Sequence, residues 1–357
     1  MNVAAVKHTA RSWISDNLPI WPGLHAAHLV GGITAMPDDT PFPSTKDVDI
    51  HLIFDDDSPA LHSPEPFANI LEILYEGIII EAGIKPCSEY SSPAAVLANP
   101  EIAYHLTRDS ILYDPYGFLA GLGHEVRAGY GRREWVHARI DHERRGHAGA
   151  MAFRPVVAAT HGASAEWNIL GYTNTFLAAA LQAATLSPPK MGGRTLVHLR
   201  YQLAQAGRLD LHERALTMLG VENATPAQVE DVLTQGGEAF ELALAVKRTP
   251  HHFQHKLHAH LRPYFEECCR GMMADGFTRE ALPWAGAFCL GATDIILTDA
   301  PEHKKPRFAA RQDALIRAFG MDTAPVRDAR YDEAARLATE VFALADAVAA
   351  EHPAIQD

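Results

Sequence analysis

Apolar and polar positions change rhythm about a third of the way along the chain. Ala4, Val6, Ala10, Trp13 and Ile14 fall near one stripe, so residues 2–16 are expected to form an amphipathic helix, ended by the two prolines of "DNLPIWPG". "LHAAHLVGG" (24–32) reads as a strand running into a glycine pair, followed over 33–46 by a loop rich in Pro, Asp and Thr. In "TKDVDIHLIF" (45–54), Val48, Ile50, Leu52 and Phe54 alternate with Asp47, Asp49 and His51, the period of a strand with two unlike faces. "FANILEILYEG" is expected to be a short helix and the β-branched "IIIEAGIKP" (78–86) a strand. "DSILYDPYGFLAGL" (109–122) holds a short strand, a Pro turn and a helix start.

Beyond about residue 125 the β-branched runs nearly vanish. Ala- and Leu-rich segments predict helices over 132–158, 164–185, 193–206, 226–246, 252–274, 278–298, 308–319 and 330–351. The pattern implies an α+β protein with a small sheet-bearing domain over 1–125 and a larger all-α domain over 126–357. No fixed-period repeat interrupts it.

One feature of this pattern is not explained by folding. Asp47 and Asp49 share a strand face, and two neighbouring carboxylates repel unless something positive lies between them. A third acidic residue, Glu81, interrupts the apolar strand "IIIEAGI". Hard divalent cations take such oxygen ligands, and a pair of them clamps the oxygens of in-line phosphoryl or nucleotidyl transfer. The pair Gly31-Gly32 lets a backbone approach phosphates closely and offers its N–H groups.

Composition narrows the choice. The 357 residues exceed one ordinary core, and 47% hydrophobic with 21% charged residues is the balance of a water-exposed globular chain. A net charge of −13 argues against gripping a nucleic-acid backbone and suits a cationic substrate. The four cysteines form no CxxC pair, so neither a disulfide framework nor a cysteine zinc site is expected. The N-terminus lacks a signal-peptide pattern and no stretch reads as a membrane span, so a cytoplasmic location is expected.

The string "LVGGITAMPDDTPFPSTKDVDIHLIF" (29–54) resembles the signature of the nucleotidyltransferase superfamily that includes DNA polymerase β and the aminoglycoside nucleotidyltransferases. That signature is a hydrophobic residue, Gly-Gly or Gly-Ser, a gap, then Asp-h-Asp/Glu-h, where h is hydrophobic. "ILYDPYGFLAGL" and "GFTREALPWAGAFCLGATDIILTDAP" are similar to bacterial small-molecule members with a helical C-terminal domain. The resemblance implies a polymerase β-like catalytic domain with a small mixed sheet flanked by helices, followed by a helical bundle that closes the cleft. It implies that Asp47, Asp49 and Glu81 are catalytic and hold two Mg²⁺ ions, or Mn²⁺, and that Gly31 and Gly32 contact the phosphates of ATP or another nucleoside triphosphate. Two departures stand out. Gly32 replaces the usual serine, leaving Thr34, Ser44 or Thr45 to supply a hydroxyl, and fourteen residues separate Gly32 from Asp47.

The implied reaction moves NMP, AMP from ATP, onto a hydroxyl of a small, aminoglycoside-like molecule with release of pyrophosphate. The alternatives are a nucleotide-binding regulator without turnover and a protein-modifying, antitoxin-like nucleotidyltransferase. Addition to nucleic acid is least expected, since no basic stripe is present.

Other residues carry weaker signals. Lys46 adjoins Asp47, and Lys190, Arg194 and Arg200 open a helix as a basic contact for a triphosphate or as a solvated face. Glu166, Glu134 and Asp141 compete as general base. His51 reads as a satisfied sheet histidine, and Glu76 has the wrong strand parity to join Glu81. His251, His255 and His258 would share one face if 252–274 were helical throughout. Cys87 and Ser91-Ser92 show no partnered histidine by spacing.

Overall fold

The computed structural model describes residues 1–62, 69–190 and 192–357. The chain is α+β, with a mixed five-stranded sheet first and helices after it. Helix α1 (Val3–Asn17) starts where the Asn2 side chain accepts from the Ala5 N–H and ends in the Pro-containing turn Leu18–Ile20. Strands β1 (Leu24–Leu29), β2 (Val48–Phe54), β3 (Ile70–Tyr75) and β4 (Ile78–Pro86) follow. Short helices α2 (Pro93–Leu97) and α3 (Ala103–Leu106) lead to β5 (Ile111–Tyr113) and α4 (Phe118–Gly129).

The strand order is β3-β4-β2-β1-β5; β2 and β4 run parallel, and the other neighbours are antiparallel. Alternation along β2 separates two cores. Val48, Ile50, Leu52 and Phe54 pack with α1 through Val3, Val6, Trp13 and Ile14. Ile53 on the opposite face packs with Tyr90, Val96, Leu106, Leu119 and Val126. Asp49 and His51 share that second face.

The segment expected as a short helix is instead β3, with Phe67 and Ala68 outside the described residues. Glu76 (φ 47°) and Gly77 (φ 81°) form the two-residue turn of a β3–β4 hairpin, and tight hairpins favour positive φ at both positions.

The helical part begins with α5 (Arg133–Ala184), which breaks at Gly162 (φ 68°, ψ −159°) into the two stretches that the spacing predicts. It continues with α6 (Thr195–Gln205), α7 (Leu209–Leu219), α8 (Pro226–Val246), α9 (Leu261–Ala274), α10 (Thr278–Asp299), α11 (Lys305–Ala318) and α12 (Ala324–Glu351). Helix α7 is an addition to the predicted set; Leu211, Ala215, Leu216 and Leu219 bury its stripe, and Gly220 (φ 73°) ends it. Helix α8 starts at a capping box in which Thr225 and Gln228 satisfy each other's backbone N–H. Helix α10 corrects the expectation that no stretch is long and apolar enough for a membrane span; 67% of its apolar window is buried inside the protein, against α8, α9 and α11.

Helix 252–274 is also shorter than expected. It starts at Leu261, after one 3-10 turn, His252–Lys256, and a bend. His251, His255 and His258 therefore do not share a helical face. Between the sheet and the bundle, buried Arg139 of α5 donates to the carbonyls of Leu97 (2.9 Å) and Tyr130 (2.8 Å).

Candidate active site

Register builds the acidic centre. Asp49 pairs with Glu81 across the parallel β2–β4 ladder, and Glu81 pairs with Glu72 across the β3–β4 ladder. Cross-strand partners present side chains on one face. Asp49, Glu81 and Glu72 thus stand in one row across three strands, with Asp47 two positions upstream of Asp49. Asp47, Asp49 and Glu81 offer carboxylate oxygens all within 4.8 Å of one another.

Lys256, from the 3-10 turn of the helical part, reaches into this row. Its Nζ donates to Glu72 Oε2 at 2.9 Å and is ion-paired with Glu81. Burial works against its charge, but the carboxylates of Glu81, Glu72 and Asp47 prevail and hold its pKa above the ordinary lysine value. The carboxylates move the other way. Burial, with the Asp47 and Glu81 charges behind it, pushes Asp49 well above the usual carboxylate range. Burial raises Asp47 against the pull of Lys256, and pushes Glu72 up to about 8. Glu72 Oε1 is buried without a hydrogen-bond partner among the described residues. Four acidic side chains against one ammonium leave carboxyls whose ionised forms burial disfavours and an unmatched acceptor. Asp47, Asp49 and Glu81 are a donor set that could hold a hard divalent cation.

The glycine turn is fitted to this row. Gly31 has φ 66°, and a Cβ there would lie 1.8 Å from Asp49 Oδ2, so no other residue fits while Asp49 holds its place. The Val30 N–H donates to the Asp49 carbonyl at 2.9 Å. Thr34 Oγ1 donates to the Gly31 carbonyl (2.9 Å) and lies 2.8 Å from His105 Nδ1, so this hydroxyl fixes the turn. A Cβ on Gly32 would lie 3.1 Å from Lys46 Nζ; the lysine ammonium stands over the glycine. Ser44 instead donates to Glu267 of α9 at 3.1 Å.

The bundle supplies the facing wall. Burial, with the positive Lys190, Lys46 and Arg194 nearby, lowers the His198 pKa to about 4. Burial likewise raises Tyr264, whose phenol lies near the Asp47 and Asp49 charges, and Cys268, which lies near Arg194, Asp47 and Lys46. Lys190 is exposed, and its backbone is fixed by Gln182. Arg194 is paired with Asp275 at 3.0 Å, and Arg200 turns away to buried Glu280 at 3.1 Å.

Two of the three proposed bases are engaged elsewhere. Glu166 is held between Arg154 (2.8 Å) and Arg327 (2.7 Å) inside the bundle, Asp141 pairs with Arg144, and Glu134 is exposed. His51 Nδ1 and His28 Nε2 both meet the Tyr90 hydroxyl, at 2.8 and 2.9 Å, a satisfied buried network. Ser92 caps α2. Cys87, without a histidine partner by spacing, stands in the fold beside His25 and Asp55.

Sequence reasoning missed Glu72 and Lys256. The signal for Glu72 was a lone acid in an apolar run, hidden by the helical reading of that run. Lys256 stands among histidines whose spacing suits a helix.

No protein-family model matches the chain, and no curated protein does. Among solved structures it is similar to a nucleotidyltransferase-like protein from Exiguobacterium sibiricum 255-15, with 12% identity over 76% of this chain and 92% of that one, at a TM-score of 0.28.

Proposed function

We propose that the protein is a metal-dependent nucleotidyltransferase that moves AMP from ATP onto a hydroxyl of a small molecule, releasing pyrophosphate. One observation carries this reading: Asp47, Asp49 and Glu81 converge, and Asp49 lies against the glycine turn so closely that Gly31 can carry no side chain. Bound at these carboxylates, Mg²⁺ would neutralise triphosphate charge and polarise the bond to the leaving pyrophosphate. Asp47 and Asp49 would hold the ion, with Glu81, now paired with Lys256, as a further ligand. The turn at Gly31-Gly32 positions the phosphates, and Lys46, over Gly32, supplies the contact that a serine hydroxyl would otherwise make. Lys190 and Arg194, which with Lys46 surround His198, would balance the outgoing pyrophosphate. Positioning and charge neutralisation are the main contributions of such a site. The acidic balance of the chain favours a cationic acceptor of the aminoglycoside kind.

Lys256 favours a second reading. An internal cation already seated on two carboxylates suits a nucleotide-binding regulator that senses ATP without turnover.

Calorimetric titration of ATP with and without Mg²⁺, on wild type and Asp49→Asn, tests both. Metal-dependent binding lost in the variant, with pyrophosphate released on adding an aminoglycoside, supports the transferase. Binding without pyrophosphate across an acceptor screen supports the regulator. No metal-dependent nucleotide binding at all would remove both.

A further inference from the structure

The far end of the sheet carries a second cluster of unlike donors. Phe54 pairs with Leu24 of β1 and with Pro86 of β4, so the register brings His25, Asp55 and Cys87 to the same edge. Asp55 lies six residues beyond Asp49, about 20 Å along the strand at roughly 3.3 Å per residue. His25 Nδ1 lies 3.2 Å from Asp55 Oδ1, and one ligand atom from each of His25, Asp55 and Cys87 lies within 4.8 Å of the other two.

The surroundings hold these groups in place. The Asp55 N–H donates to the Gly23 carbonyl at 3.0 Å, and the Asp55 carbonyl accepts from Ser58 N at 2.8 Å. Asp56 Oδ1 accepts from Ser88 N at 2.9 Å, which fixes the turn that carries Cys87. The His25 ring packs edge-on against Phe118, centroids 4.8 Å apart, with Tyr116 at 5.6 Å. The β1–β2 register shifts between Leu24 and Ala26, the irregularity at which His25 sits.

We propose that His25, Asp55 and Cys87 form a zinc site, separate from the acidic row and independent of the function proposed above. Imidazole, carboxylate and thiol together are a donor set for Zn²⁺ rather than for Mg²⁺, which prefers oxygen alone. Ligand atoms around tetrahedral zinc lie about 3.5 Å apart, given bonds of about 2.0–2.3 Å. The His25–Asp55 pair already has that spacing, and rotation of the half-exposed side chains brings in the sulfur. Binding deprotonates the thiol, so Zn²⁺ exchanges for one proton released to solvent. Without metal, burial and the Asp55 and Asp56 charges push that thiol up to about 11, so Cys87 by itself is not an activated nucleophile. Three protein ligands leave a fourth position for water or for an anionic ligand.

The test uses Co²⁺, a spectroscopic stand-in for Zn²⁺, added to reduced, metal-stripped protein in excess Mg²⁺ to fill the oxygen-only site. One equivalent should produce a thiolate-to-cobalt charge-transfer band, displaced by Zn²⁺. The band should be lost in Cys87→Ser, lost or strongly weakened in His25→Ala, and retained in Cys268→Ser. On wild type alone, Zn²⁺ should protect Cys87 from alkylation, read by peptide mapping, so the result does not depend on a variant's folding. No band and no protection, or a band that survives Cys87→Ser, overturns the site. Because neither readout involves nucleotide, failure here leaves the transferase reading standing, and the reverse.

Discussion

At the scale of single residues, the site rests on a steric agreement between Gly31 and Asp49. Gly31→Ala should cost about 1–3 kcal/mol from the left-handed backbone alone, and more from displacing the Asp49 carboxylate 1.8 Å from the new Cβ. Chemical denaturation would show this loss together with weakened nucleotide binding. Asp49→Asn should abolish Mg²⁺-dependent ATP binding and leave circular dichroism unchanged; equal binding in calorimetry would remove Asp49 from the site. Glu72 makes a pH prediction. Its carboxyl is raised from 4.5 to about 8, so the folded state binds this proton more tightly than the unfolded state. The resulting stability is fully present below about pH 4.5 and is lost as pH rises through about 8. Glu72→Gln should flatten the fall in Tm across that window in metal-free buffer. An unchanged slope would place the proton elsewhere.

At the scale of elements, legibility depended on how much of each signal was local. Asp47, Asp49 and Glu81 were readable because alternation along β2 and an acid inside a β-branched run are properties of the strands themselves. β3 was not, because Ile70, Ile73 and Leu74 also fit helical spacing, and only the Glu76-Gly77 turn and pairing to β4 decide between the two. The 3-10 turn His252–Lys256 was hidden likewise by histidine spacing that suits a helix. Beneath β1 and β2, the His28–Tyr90–His51 network is closed by one hydroxyl. Tyr90→Phe would remove the partner of His28 Nε2 and His51 Nδ1, while His28 Nδ1 keeps the Leu29 carbonyl, at a cost of about 1–3 kcal/mol. Denaturant titration should show that loss with nucleotide affinity unchanged, since the network lies further along this face of β2 than Asp49 and hydrogen-bonds to none of the acidic row.

At the scale of the whole molecule, the contacts between the sheet and the bundle include two of different kind. Arg139 joins them by hydrogen bonds to backbone, and Lys256 joins them by charged hydrogen bonds to side chains of the acidic row. The two-part organisation was legible in the loss of β-branched runs, but no pattern in either part could announce that a lysine from one completes the acids of the other. Lys256→Met should leave four facing carboxylates unneutralised. Its Tm should fall below wild type in EDTA and rise more than wild type when Mg²⁺ is added; equal gains in both proteins would show that lysine and metal do not compete. The fit between Gly31 and Asp49 also has a consequence for descent. The constraint runs one way: a side chain at 31 is barred while the aspartate stands, and once the aspartate is lost only the backbone angle keeps the glycine. Among relatives of this chain the aspartate should be inherited only with the glycine, and a lineage that keeps the glycine without the aspartate would mark where the site was abandoned.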